Sequence, residues 1–230
     1  LCPGGECFDE VMPAGLDKRL AELPAERRER GVVVVMHQMG SHGPAYYKRS
    51  PPQAKRFLPE CTSNNLQECS RESVLNAYDN SIAYTDQFLS STIEWLNARD
   101  SNYASALVYV SDHGESLGEN NLYLHGLPFS IAPDTQKKVP WITWSSTASA
   151  NQLGIDFDCL RQKSSAPITH DSLAPSVLGL MQIRTSTYAR EKDVYASCSF
   201  ARHGPSSAPS GLVQAGTNVA SGAHLSVSKR

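Results

Sequence analysis

An aspartate and a histidine stand side by side at positions 112 and 113, followed by Gly114 and Glu115, at the end of the apolar run Ala-Leu-Val-Tyr-Val. A carboxylate and an imidazole on consecutive residues face one cation only if the backbone has left the strand, and Gly114 permits such a turn. This donor pair suits zinc, whereas an all-oxygen set would point to magnesium or calcium. Both groups bind a cation in their deprotonated forms, so binding weakens in acid. Two further histidines share the local chemistry: His42 in Gly-Ser-His-Gly-Pro, shortly after a run of four valines, and His125 in Leu-Tyr-Leu-His-Gly-Leu-Pro. Zinc held by such a set would polarise a substrate oxygen and lower the pKa of a coordinated hydroxyl.

Each of these residues also has a plainer reading. Asp112 is able to cap the segment that follows a strand-end turn, and His42 and His125 are able to serve as turn residues beside glycine and proline. His37, at the end of the valine run, reads equally as a core histidine and is left out of the site. His170 precedes an apolar helix-like run and reads as a helix N-terminal residue rather than a ligand, while His203 and His224 fall in a polar tail. Ser41 and Ser111 flank site histidines, but neither has the Gly-x-Ser-x-Gly setting of a serine hydrolase nucleophile, so they are expected to make hydrogen bonds only.

The elements that position these side chains follow from periodicity. Residues 8–23 read as a helix broken early by Pro13, and residues 32–36 as a central strand. After a proline-rich polar loop, Ser70 opens a helix on which Val74, Tyr78, Ile82, Leu89, Ile93 and Leu96 form an apolar face. Residues 106–110 make the strand that delivers Asp112, residues 139–144 another strand, and residues 173–181 a helix that tolerates Pro175 near its start. Strands separated by helices favour an α/β fold with a largely parallel central sheet and helices on both faces. Beyond Cys198 the composition turns to Ser, Ala, Gly and Pro, and residues 199–230 read as a disordered tail.

With 230 residues, 40% hydrophobic and 19% charged, at net charge −2, the composition is that of an ordinary water-soluble domain with no basic excess for nucleic acid. The longest uninterrupted apolar run is far short of the ~20 residues that span a bilayer. Six cysteines form an even set: Cys2 and Cys7 bracket one short loop, Cys61 and Cys69 another, and Cys159 and Cys198 remain. Disulfides in an oxidising compartment are the main reading and a zinc ribbon the competing one, although the spacings lack CxxC pairs. Sequence alone fixes no connectivity.

Taken together in this order, HxxGSHGPxYYxRxP, strand-SDHGESLGEN and LYLHGLP resemble the lipid A phosphoethanolamine transferases of the colistin-resistance type, within the alkaline phosphatase and sulfatase-like superfamily. The resemblance covers about residues 2–198. It implies a zinc enzyme at the periplasmic face of the inner membrane of a Gram-negative bacterium, acting as a monomer. Such an enzyme moves phosphoethanolamine from phosphatidylethanolamine to a phosphate of lipid A through a phosphothreonine. Asp112 and His113 match zinc ligands, and His42 and His125 match histidines that hold the phosphoryl group or further zinc. Glu115 matches an acidic residue beside them, and the pair Cys61 with Cys69 gains support. The nucleophile, another acidic ligand and the transmembrane helices are expected upstream of residue 1, so the domain is expected to be incomplete at its N-terminus. A sulfatase-like hydrolase, a phosphoglycerol transferase and a non-catalytic metal-binding module stay open as alternatives.

Overall fold

The structure, a computed structural model, describes residues 2–200 and the backbone of residues 223–228. Along the chain come α1 (Leu16–Glu22), α2 (Ala25–Glu29), α3 (Arg71–Asn97), β1 (Ala106–Val110), β2 (Ser116–Leu117), β3 (Tyr123–Leu124), α4 (Asp134–Lys137), β4 (Lys138–Ser145), α5 (Thr147–Leu153), α6 (Phe157–Gln162), α7 (Leu173–Leu180) and β5 (Ala223–Ser228). They fall into two compact units, residues 1–92 with 117–124 and residues 93–116 with 125–230. Among the described residues no helix is long and apolar enough to cross a membrane.

The first unit is organised by α3. Its N-terminus is capped by Ser70, whose Oγ accepts from the Ser73 amide at 3.2 Å. Val74 and Ala77 pack with Tyr46, Cys61, Leu66 and Leu117, and the Tyr46 and Tyr78 rings meet edge to face at 5.4 Å. The buried stripe runs through Val74, Ala77, Ser81, Tyr84 and Phe88, and Ile82 points outward with 46% exposure. The apolar face expected from sequence is therefore rotated. Small residues such as Ala77 and Ser81 belong to that buried stripe, a contribution that a count of large apolar residues overlooks. Asn80, fully buried, fixes the proline-rich loop to the helix: its Oδ1 accepts from the amides of Arg56 and Phe57 at 2.7 and 2.9 Å, and its Nδ2 donates to the Phe57 carbonyl at 2.9 Å. Cys2 pairs with Cys7 and Cys61 with Cys69.

Two sequence expectations fail in this unit. Residues 8–23 do not form one helix: a single 3-10 turn, Asp9–Val11, precedes α1, because Pro13 and Gly15 interrupt the run. The strand expected over residues 32–36 is not formed either. Val32, Val33, Val34 and Val35 are 37, 59, 48 and 88% exposed, and among the described residues no strand supplies the ladder that would define one.

In the second unit β4 is the central strand of a three-stranded sheet ordered β1-β4-β5. The pairings are antiparallel, with Ala106 opposite Ser145 and Val110 opposite Trp141 between β1 and β4. The α/β class expected from sequence holds, and the two pairings described in this sheet are both antiparallel. A parallel return usually runs through a full helix, whereas the connection from β1 to β4 holds β2, β3 and the four-residue α4. Trp141 and Val139 on β4 are buried against Val108, Val110, Ile168, Leu173 and Val194. A second cluster joins Ile155, Leu160, Tyr195 and Cys198, where Cys198 bonds Cys159. Within the stretch read as a disordered tail, residues 201–222 lie outside the described residues, and so does His203. The backbone of Ala223–Ser228 runs beside β4, with Val139 opposite Val227.

Candidate active site

β1 ends at Val110, and the next residues leave the sheet. The Ser111 amide still donates to the Pro140 carbonyl at 3.3 Å on β4, and three residues later the Gly114 amide donates to the Gln136 carbonyl at 3.1 Å on α4. Between these two anchors lies the Asp112–His113 turn. Gly114 is required by proximity: a Cβ there would lie 2.0 Å from the Thr135 carbonyl oxygen. The glycine that the sequence offered as a flexible turn residue thus serves for close approach to α4.

The turn is further fixed from within. The Ser111 hydroxyl donates to the His113 carbonyl at 2.8 Å. Asp112 Oδ1 accepts from the His113 amide at 3.0 Å, and its Oδ2 lies 3.7 Å from His113 Nε2. The Asp112 side chain is 78% exposed and that of His113 17%, so the carboxylate stands at the surface edge of the half-buried imidazole.

His113 Nδ1 lies 3.0 Å from the Gly114 carbonyl. A carbonyl only accepts, so Nδ1 carries the proton and the neutral ring keeps its lone pair on Nε2, the form that ligates a metal. The His125 ring stacks on it with centroids 3.7 Å apart and 29° between planes. His125 Nδ1 in turn lies 3.2 Å from Oε1 of Glu115, a carboxylate only 6% exposed. An ionised carboxylate also only accepts, so His125 is held in the same tautomer. An imidazole oriented by an acceptor on its other nitrogen is the usual arrangement around a metal-binding histidine. Beside Glu115, Ser116 Oγ accepts from Gln136 Nε2 at 2.9 Å, tying this wall to α4.

His42 belongs to the first unit. Its Nδ1 donates to the Gly43 carbonyl at 2.8 Å, which gives the same tautomer, and its own carbonyl accepts from Arg49 Nε at 2.8 Å. A Cβ on Gly43 would lie 2.4 Å from Leu124 Cδ2 and 2.7 Å from the Tyr46 hydroxyl, so glycine is again a packing requirement.

Of the predicted site residues, the second unit brings Asp112, His113, Glu115 and His125 together, and His42 stands in the first. Sequence reasoning assigned no part to Thr135 and Gln136, and left His170 at a helix N-terminus. His170 does open the 3-10 turn His170–Ser172 before α7, yet its Nε2 also donates to the Ser111 carbonyl at 2.8 Å. No local spacing signals such a contact, because 59 residues separate the partners.

Comparison with known proteins identifies the family. The sulfatase family model matches residues 1–183. The phosphoethanolamine transferase EptA of Salmonella typhimurium is 43% identical over 198 residues, which are 86% of this chain and 35% of that protein. The phosphatidylethanolamine transferase Mcr-2 of Escherichia coli is 40% identical over 181 residues, 79% of this chain and 31% of its own. The chain thus spans about a third of the length of the curated relatives it matches. Among solved structures, the soluble domain of lipooligosaccharide phosphoethanolamine transferase A from Neisseria meningitidis aligns with a TM-score of 0.80 at 40% identity, covering 87% of this chain and 59% of that one.

Proposed function

Since the chain belongs to the sulfatase family, we propose that it forms part of a zinc-dependent enzyme that transfers phosphoethanolamine from phosphatidylethanolamine to a phosphate of lipid A, at the periplasmic face of the inner membrane, and so gives polymyxin resistance. The observation that carries this reading is the strand-end turn that presents Asp112 and His113 beside the Glu115–His125 pair, with both imidazoles in the tautomer that leaves Nε2 as a lone-pair donor. The similarity to EptA and Mcr-2 supplies the group transferred and its donor.

Asp112 and His113 would hold the zinc, and the donor set of one carboxylate and one neutral imidazole fits that ion. Bound there, zinc supplies Lewis-acid polarisation of a phosphoryl oxygen. Glu115 keeps the His125 imidazole oriented and its Nδ1 protonated. His125 then offers Nε2 to the phosphoryl group or to further zinc, a role that the resemblance implies for His42 as well. The threonine nucleophile implied by the resemblance is assigned to no residue of the 230.

Zinc titration of the chain tests the metal site. Tight binding is expected in the parent protein and is lost in Asp112→Ala and in His113→Ala; unchanged binding in both variants removes the assignment. Mass spectrometry after incubation with phosphatidylethanolamine and lipid A tests the reaction. A lipid A product heavier by one phosphoethanolamine supports transfer, and release of phosphoethanolamine to water alone indicates a hydrolase instead.

A further inference from the structure

We propose that His170 is a positioning residue for the Asp112–His113 turn, acting through the carbonyl of Ser111. The proposal rests on the reading of Asp112 and His113 as zinc ligands and deepens it.

Ser111 is the residue on which the turn depends, and all three of its polar groups are engaged. Its amide donates to the Pro140 carbonyl on β4, its hydroxyl donates to the His113 carbonyl, and its carbonyl accepts from His170 Nε2 at 2.8 Å. The first bond continues the sheet for one residue and the second closes the turn on itself. The third is the one that comes from the side chain of another residue, and it reaches the turn from a distant element.

His170 is itself well anchored. The amide of Leu173 donates back to its carbonyl in the 3-10 turn His170–Ser172, and Leu173 and Ile168 pack against Val139 and Trp141 of β4. The imidazole is thus carried by a segment fixed to the same sheet that carries β1. Together with the Gly114 to Gln136 bond, it holds the turn at both ends: Gln136 at the Gly114 side and His170 at the Ser111 side.

The other nitrogen argues against a packing role. Because Nε2 donates to a carbonyl, Nδ1 of the neutral ring is an acceptor, and this buried atom has no hydrogen-bond partner among the described residues. An unsatisfied buried acceptor is destabilising, and an apolar residue of similar shape would avoid it. The histidine therefore fits the position through what Nε2 does, which is to fix the carbonyl immediately before the metal-binding pair.

Three variants in the full chain separate this role from a structural one. Glutamine carries its amide nitrogen the same number of bonds from the backbone as His170 Nε2, asparagine carries it at the Nδ1 position, and phenylalanine keeps the shape without a donor. The readouts are the backbone amide NMR shifts of Asp112, His113 and Gly114 in the metal-free protein, and zinc affinity by competition with a chromophoric chelator. H170F and H170N are expected to move those shifts and to weaken zinc binding by at least about tenfold, as loss of supporting hydrogen bonds around a metal site does. H170Q is expected to restore both. If H170F fails to fold, the contrast between H170Q and H170N decides. Equal behaviour of H170Q and H170N, or parent-like shifts and affinity in H170F, overturns the proposal. Should the parent chain take up no zinc, the metal reading falls, and the amide shifts alone still decide whether His170 positions the turn.

Discussion

Replacing Gly114 by alanine tests the link between packing and chemistry most directly. The added Cβ would sit 2.0 Å from the Thr135 carbonyl oxygen and 3.1 Å from its carbon. Both atoms are backbone, so no side-chain rotation relieves the overlap. Reaching an ordinary contact requires the turn and α4 to separate by about 1 Å or more, since close-packed interiors leave little room for an inserted methyl. That movement breaks or stretches the Gly114 to Gln136 hydrogen bond of 3.1 Å, worth about 1 kcal/mol. Overpacking adds about 1–3 kcal/mol. A loss of about 2–4 kcal/mol is therefore expected for the second unit, read by urea unfolding followed through tryptophan fluorescence, with Trp141 buried in that core. The same displacement carries His113 away from its partners, so zinc affinity should fall by about tenfold or more. A G114A protein with parent-like unfolding and parent-like zinc affinity would refute the argument that glycine is required here by proximity.

Other outcomes follow from the second unit. Thr143 Oγ1 lies 2.8 Å from the Tyr195 hydroxyl and accepts from Trp141 Nε1 at 3.2 Å, all three being buried. Thr143→Val leaves these groups without that partner and should cost about 2–4 kcal/mol in urea unfolding; a cost near zero would show that the pair finds other partners. Burial, opposed by the hydrogen bonds with Thr143 and Trp141 and aided by Asp193, pushes the Tyr195 hydroxyl from 10.0 up to about 12. Its folded pKa is raised, so its contribution of about 3 kcal/mol is fully present below pH 10 and lost as pH rises through 12. Stability measured across pH 9 to 12 should decline less in Tyr195→Phe than in the parent. The Cys159–Cys198 bond spans 39 residues, for which chain entropy gives about 4 kcal/mol. A C159S/C198S protein should lose about that amount, and equal unfolding midpoints with and without reductant would contradict it.

The helix opened by Ser70, the strand over residues 106–110 and the three histidine motifs were legible because each is a local signal: a cap, a short apolar run, a glycine next to a metal-binding side chain. The three disulfides observed also agree with an even cysteine count and two short loops. What was not legible depends on partners. The valines of residues 32–36 have the composition of a buried strand, yet a strand exists only with a ladder, and no neighbour among the described residues provides it. The direction of β4 against β1 likewise follows from how the connection folds, which composition does not reveal.

By itself, then, the sequence singled out the side chains proposed to bear the chemistry: Asp112, His113, Glu115, His125 and His42, since residue type and immediate neighbours set what a group is able to ligate. The tertiary structure decided how four of them are held. Glu115 orients His125, Thr135 makes Gly114 obligatory, and His170 reaches Ser111 across 59 residues. Contacts of that kind are absent from any local pattern because the residues that make them become neighbours only after the chain has packed.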